Sequence, residues 1–299
     1  MAVKISLVAS ANRVEWWKRF YDSCTKNTVS WEVIFVGDKK PIHDFPSNFK
    51  HIYATCKPAQ CYQIGFWAAQ GELVSWTADD ADYNDPSLKC PNALDRAYAH
   101  WLRMEEKHNH DKKSIISFKA IEDGIDLSRE NHFFFKWRET PEMAPFALIH
   151  REYFLNQLGG YDRRFVSGQS ENDVIMRIYE DGGRLELAED ARLAVHHRQV
   201  HLRDPKKTNK NGKFREWNKI DREVLEGFWM HGGHGQYEKA RKNLFQRYIP
   251  RMRRRVVSNI SKTRLLPFEP FENTPDVCHV TQSQKGGWDS AVKEGIEAL

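Results

Sequence analysis

The sequence predicts an α/β fold: a mixed, mainly parallel sheet flanked by helices, followed by a basic, mainly helical C-terminal extension. Three observations predict it. Up to residue 90, short β-branched apolar runs alternate with segments of helical spacing, the pattern of a parallel sheet covered on both faces. The loops that follow those runs gather polar residues, as expected where ligands bind beyond the carboxyl ends of strands. After Arg203 the chain passes through a charged, Gly-containing linker, DPKKTNKNGK, and becomes basic and helix-like, which divides it into residues 1–203 and 204–299.

The elements follow in order. KISLVAS reads as a first strand and NRVEWWKRFYDSC as a helix, with Asn12 as its N-cap. WEVIFVGD is a second strand. The Pro-containing loop KKPIHDFPSN leads to a short third strand, HIYAT. AQCYQIGFWAAQG is a helix closed by Gly71, and LVSWTA a fourth strand. The stretch from Pro86 to His108 supplies one or two helices, and SIISFKA another strand. FALIH is a strand that leads through REYFLNQL to a Gly-Gly turn. SENDVIMRIYEDGG is a helix with Val174, Ile175, Ile178 and Tyr179 at helical spacing, and LELAEDARLAVHHRQVH is extended.

Composition excludes several classes. The 299 residues are 40% hydrophobic and 12% aromatic, enough for a core and incompatible with global disorder. Apolar runs fall far short of the roughly 20 residues that cross a bilayer. The apolar piece of MAVKISLVASANRVEWW is too short for a secretory leader. The five cysteines form no paired framework, and the spacing of Cys56 and Cys61 matches no strong zinc pattern. A reduced, cytoplasmic protein is expected, possible contact with a membrane surface included. The net charge of +5 is uneven: Lys239 to Arg264 holds ten Lys or Arg and no acid. That block reads either as a solvated helix face or as a surface for a polyanion.

The chemistry gathers in GELVSWTADDADYNDPSL, residues 71–88. Asp79, Asp80, Asp82 and Asp85 crowd the end of an apolar strand, and carboxylates so close resist ionising together unless a positive charge joins them. One reading is a hard-oxygen site for Mg²⁺ or Mn²⁺, whose usual companion is a diphosphate. The other is a turn with Asx caps.

Around this cluster runs an ordered series, SLVASANR, WEVIFVGD, CYQIGFWAAQGELVSWTADDAD, FALIHREYFLNQLGGYDRRFVSGQSENDVIMR and LAVHH. In order and spacing it resembles the family-two glycosyltransferases and their GT-A (nucleotide-diphospho-sugar transferase) fold over about residues 3–200. The resemblance implies a metal-dependent transfer of a sugar from a nucleoside diphosphate sugar, a UDP-sugar first, to a hydroxyl acceptor, with inversion. Asp80 and Asp82 would hold the Mn²⁺ or Mg²⁺, with Asp80 also at the donor. Of the adjacent histidines only one can face the site on a strand; the assignment goes to His197, with His196 the alternative. A carboxylate general base is implied in SEND: Glu171 first, then Asp173, although both also suit the acidic first turn of a helix. Ala9, Ser10, Asn12, Asp38, Lys57, Gln63 and Arg151 would line the donor, with Gly37 standing where the family often has an aspartate. Trp137 is a ring-stacking or a core residue, and DREVLEGFW, 221–229, resembles a segment that flanks the donor in some members.

The acceptor is expected to be a glycan, then a modified base in DNA, then a protein. A reading of another class is a non-catalytic polyanion-binding module on the same scaffold, gripping its polymer through 239–264. A nucleotidyltransferase would want a Gly-rich phosphate loop after the first strand, which SANRVEWW lacks.

Overall fold

A computed structural model describes residues 2–122, 124–127, 144–196, 211–229, 264, 266–271 and 279–282. Trp137, His197 and residues 239–263 of the basic block lie outside the described residues.

The parallel half forms as the alternation predicts. β1 (Ile5–Ser10) pairs in parallel with β2 (Trp31–Gly37) and with β4 (Leu73–Trp76), and β2 pairs in parallel with β3 (Phe49–Tyr53). Successive residues of these strands alternate between two cores. Leu7, Ala9, Val33 and Phe35 pack on one face with α1 (Val14–Cys24) and α3 (Ala93–Lys107), through Trp17, Phe20, Leu94 and Trp101. Val8, Ile34 and Val36 pack on the other with α2 (Pro58–Ala68), α4 (Ser170–Glu180) and α5 (Asn211–Trp229), through Ile64, Phe66, Ile175, Leu225 and Phe228. Burial on both faces explains why the strand sequences are continuous apolar runs rather than polar–apolar alternations.

Beyond β4 the sheet becomes mixed. β8 (Ala147–His150) runs antiparallel to β4, with Leu73 opposite His150 and Trp76 opposite Ala147. β6 (Ser114–Glu122) is antiparallel to β8, and β9 (Arg184–Val195) is parallel to β6. The two-residue strands β5 (Ala81–Asp82) and β7 (Ile125–Asp126) lie against β9 and β6. Among the described residues the order is β10-β3-β2-β1-β4-β8-β6-β9-β5, where β10 (His279–Gln282) closes the far edge antiparallel to β3. The described segments after residue 203 therefore enter the same sheet and core as those before it.

Two local expectations change. α1 starts at Val14 with Arg13 in the capping position and no side-chain cap from Asn12. α2 ends at Ala68, so Gly71 is not its cap. Gly71 instead lets the chain pass tightly over β1, its N–H donating to Ser6 Oγ at 2.8 Å.

Candidate active site

Topology decides which residues can meet. β1, β2, β3, β4 and β9 all run the same way, so Ser10, Asp38, Lys57, the aspartate turn and His196 share the carboxyl edge of the sheet. β9 starts at the opposite edge, so α4, which feeds it, has its N-terminus and Glu171 on the aspartate side.

The positive charge that the aspartates require comes from α1 and the turn before it. Asp79 is wholly buried. Its Oδ2 accepts from the backbone N–H of Asn12 and of Arg13, both at 2.8 Å, and from Trp17 Nε1 at 3.2 Å; its Oδ1 accepts from Arg13 Nε at 2.6 Å. Asp79, at the end of the neighbouring strand, thus holds the turn that leads into α1. Arg13 bridges on to Asp80, with Nη1 at 2.9 Å from Oδ2. Burial disfavours the Arg13 charge, but Asp79 and Asp80 outweigh it and raise the guanidinium above its ordinary pKa. Gly37 serves the same corner: a Cβ there would run into the Ala11 carbonyl oxygen, so β2 can end against the turn after β1 only as glycine.

One turn further on, Asp82, Asp85 and His196 offer two carboxylate oxygens and an imidazole nitrogen, all within 4.8 Å of one another. β5 pairs with the end of β9, Ala81 opposite Val195, which brings His196 over the aspartates. Asp82 Oδ1 accepts from Asn84 N at 2.9 Å, and Asp85 Oδ1 from Ser87 N at 2.9 Å. Arg19 Nη2 stands 2.9 Å from Asp82 Oδ2, 3.6 Å from Asp85 Oδ2 and 3.0 Å from His196 Nε2. A guanidinium only donates, so Nε2 is the accepting, neutral nitrogen. Burial, followed by the Arg19 charge, lowers the His196 pKa and keeps the ring neutral. Trp16 stacks on the same imidazole at 5.4 Å and on Arg19 at 5.3 Å. Two hard oxygens and one neutral imidazole suit Mn²⁺, and a cationic group of the chain itself already occupies the place between them, so the residues fit a divalent cation.

The two carboxylates of SEND differ. Asp173 is wholly buried and spent: Oδ2 pairs with Arg177 Nε at 2.9 Å and Oδ1 accepts from Trp229 Nε1 at 2.9 Å. It belongs to an internal network in which Arg177 donates to the carbonyl of Gly160 at 2.6 Å and Arg264 reaches Asp162 at 2.5 Å. Glu171 is only half-buried. Burial, then the charge of Asp221, raises its pKa above the usual carboxylate range. Tyr62 connects the two halves of the site. Its hydroxyl donates to the Thr77 carbonyl at 2.6 Å, and burial, then the charges of Glu171, Asp79 and Asp80, push its pKa up.

The remaining expected residues divide. Asp38 and Lys57 are exposed at the carboxyl edge, Ser10 is half-buried there and Asn12 is exposed; Ala9 places its methyl in the core, which leaves only its backbone for a ligand. Gln63 has a different task. It is buried, its Oε1 accepts from Tyr161 N at 2.8 Å, and its amide fills the space against Gly160, whose φ is +78°. Arg151 is placed at the wrong edge. Because β8 is antiparallel to β4, Arg151 follows the end of β8 beside the start of β4, where its Nε donates to the Gly71 carbonyl at 2.9 Å. From there to Asp79 is about 20 Å along the strand direction. Arg264, the last residue of the basic block, is no surface cation: it is buried against Asp162 and over the Phe228 ring, 4.2 Å from its centroid. A cleft of roughly 390 Å³ lined by Gln157, Arg177, Glu180, Arg264 and Phe268 opens at the C-terminal half of α4, away from Glu171 and the aspartates.

Arg13, Arg19, Tyr62 and Asp85 were not assigned from the sequence. The signal for the two arginines was present in the demand of four adjacent aspartates for countercharge.

Comparison with known proteins gives partial likenesses to solved structures alone. Solved glycosyltransferases are similar in part. TarS 1–349 of S. aureus matches at 15% identity and a TM-score of 0.45, over 64% of this chain and 60% of that one. The mannosyltransferase PcManGT from Pyrobaculum calidifontis, in complex with GDP-Man and Mn²⁺, matches at 18% identity and a TM-score of 0.45, over 65% and 57%. TarS 1–349 in complex with UDP gives 14% identity and a TM-score of 0.46, over 64% and 60%. The chain thus spans under two thirds of each of these structures. No protein-family profile matches it, and neither does any curated protein sequence. No helix among the described residues is long and apolar enough to cross a membrane.

Proposed function

We propose that the chain is a metal-assisted glycosyltransferase that moves a sugar from a nucleoside diphosphate sugar to a hydroxyl of a glycan, with inversion. The observation that carries the reading is one edge of one sheet holding both a cation-ligating group, Asp82–Asp85–His196, and a half-buried carboxyl of raised pKa, Glu171. Carboxyls with a pKa raised by burial are what acid–base sites require.

Asp82, Asp85 and His196 would hold the cation, with Asp80 beside them. When bound it offsets the negative charge that grows on the departing diphosphate. Ser10, Asn12, Asp38 and Lys57, at the carboxyl ends of the strands, would meet the base and ribose of a UDP-sugar. Glu171 takes the proton of the acceptor hydroxyl as that oxygen bonds to the anomeric carbon and the bond from that carbon to the diphosphate oxygen breaks. A single displacement with one base inverts the anomeric centre. Burial serves Glu171 here, since a base with a raised pKa holds the proton better.

The test is release of nucleoside diphosphate from a panel of nucleotide sugars, with Mn²⁺ or with EDTA. Slow hydrolysis of one donor that needs the metal and is lost in Asp82→Ala and Glu171→Ala is expected. No donor bound or hydrolysed with metal present would sink the proposal.

A further inference from the structure

We propose that Arg19 is a built-in counter-ion that competes with the divalent cation for Asp82, Asp85 and His196, so that the metal binds only by displacing it. The inference rests on the metal-assisted reading above.

The geometry is specific to one nitrogen. Arg19 Nη2 lies within 3.6 Å of a ligand atom of all three residues: 2.9 Å from Asp82, 3.0 Å from His196 and 3.6 Å from Asp85. A divalent cation bound by the same atoms would need the same space. Arg19 Nε adds a second bond to the same oxygen, Asp82 Oδ2, at 2.9 Å, so two N–H groups of one guanidinium converge on a single carboxylate oxygen. A cation beside a guanidinium at this range would meet strong repulsion in a partly buried setting.

Arg19 also has a route out. The Arg19 side chain is 44% exposed, while Asp82 is 7% exposed. Arg13, the other arginine of the cluster, is far more enclosed and tied to Asp79 and Asp80. The two therefore divide the work: Arg13 is a fixed part of the fold, and Arg19 is a removable one. While Arg19 is in place the aspartates do not repel one another and His196 keeps its lone pair directed inward, so the ligand set stays assembled without metal. Displaced, the guanidinium rests against Trp16, whose ring it already faces at 5.3 Å. The metal-free site is thereby preorganised, at the cost of weaker metal affinity.

The experiment is a Mn²⁺ titration of the full chain, stripped with chelator, read from the free-Mn²⁺ electron paramagnetic resonance signal, for wild type, Arg19→Ala, Arg19→Lys and the double variant Arg19→Ala/Asp82→Asn. Arg19→Ala is expected to bind Mn²⁺ about tenfold more tightly than wild type, the equivalent of about 1.4 kcal/mol. Arg19→Lys, which keeps the charge but loses the paired N–H groups, is expected between the two, and the double variant should lose the gain. If Arg19→Ala does not fold, the lysine variant carries the comparison. Equal or weaker Mn²⁺ binding without the guanidinium overturns the proposal, as does absence of Mn²⁺ binding in every variant. A parallel UDP titration separates the two readings: UDP binding that persists without any Mn²⁺ effect defeats the role of Arg19 and leaves the nucleotide-sugar reading standing.

Discussion

The aspartates of the strand-end turn look alike in sequence, and Asp79→Asn separates them. Asp79 has no exposed surface, and its two oxygens receive the Asn12 and Arg13 backbone N–H groups, the Trp17 indole and the Arg13 guanidinium. An amide in its place keeps one acceptor but turns its NH₂ toward a donor, whichever way it is flipped. Removing one partner of a buried ion pair costs about 3–5 kcal/mol. Arg13 retains Asp80 at 2.9 Å, which points to the lower end, about 3 kcal/mol. At about 2 °C per kcal/mol for a large domain, the melting temperature falls by about 6 °C.

Asp82→Asn is the control. Its main partner, Arg19, is 44% exposed and regains water, so the loss is about 1 kcal/mol or less, while Mn²⁺ binding disappears. Denaturant unfolding and Mn²⁺ titration of both variants decide the matter. If Asp79→Asn unfolds at the wild-type midpoint while Asp82→Asn is the destabilised one, the division of the cluster into a structural and a ligating part is wrong.

Three further outcomes are expected. Glu171→Gln should lower the rate of transfer by about 10²–10⁴-fold; because burial raises the Glu171 pKa, the base form is lost as pH falls through a value above the ordinary ~4.3, so wild-type kcat/KM should show an acid limb there that the glutamine variant lacks. His51 is buried beside Trp17 and its pKa is lowered by burial to about 3. The unfolded chain takes up a proton near pH 6.5 that the folded state refuses, so stability falls with pH below that value, by about 3 kcal/mol at pH 4; His51→Leu should lose that much less between pH 7 and pH 4 in urea titrations, and an unchanged acid loss would assign it to other groups. Gly160→Ala, at φ +78° with Gln63 in the way of a Cβ, should cost about 2 kcal/mol in the same assay, of which about 1–2 kcal/mol is the left-handed backbone alone.

The legible parts of the fold and site were local ones. β1, α1, β2, α2 and β4 announce themselves by the change from continuous apolar runs to helical spacing, and each such signal is complete within a dozen residues. The direction of β8 is not local. Four apolar residues have no polarity, and only pairing with β4 shows that Arg151 lies at the far edge. The ranking of Glu171 over Asp173 was an alignment of motif positions, but what distinguishes them physically lies partly outside the motif. Asp173 is consumed by Arg177 within its own helix and by Trp229 and Arg264 from far along the chain. The same distance hid the fate of Arg264, which composition placed on a charged surface.

The environment of Glu171 also bears on the division at residue 203. Asp221, in α5, accepts the backbone N–H groups of Val166, Ser167 and Gly168, each at 2.7 Å. That holds the loop leading into α4, whose first turn carries Glu171. Burial keeps Asp221 itself above the usual carboxylate range, and its charge is among the causes that raise Glu171. Eight residues on, the Trp229 indole occupies Asp173 and so keeps that carboxylate away from the edge where Glu171 stands. One helix beyond the charged linker therefore does two things to the candidate base: it fixes the loop that leads into its helix, and the charge of its Asp221 adds to the burial that raises the Glu171 pKa. Asp221 and Trp229, two wholly buried polar-tipped side chains, thus make this helix part of the core that positions the proposed base.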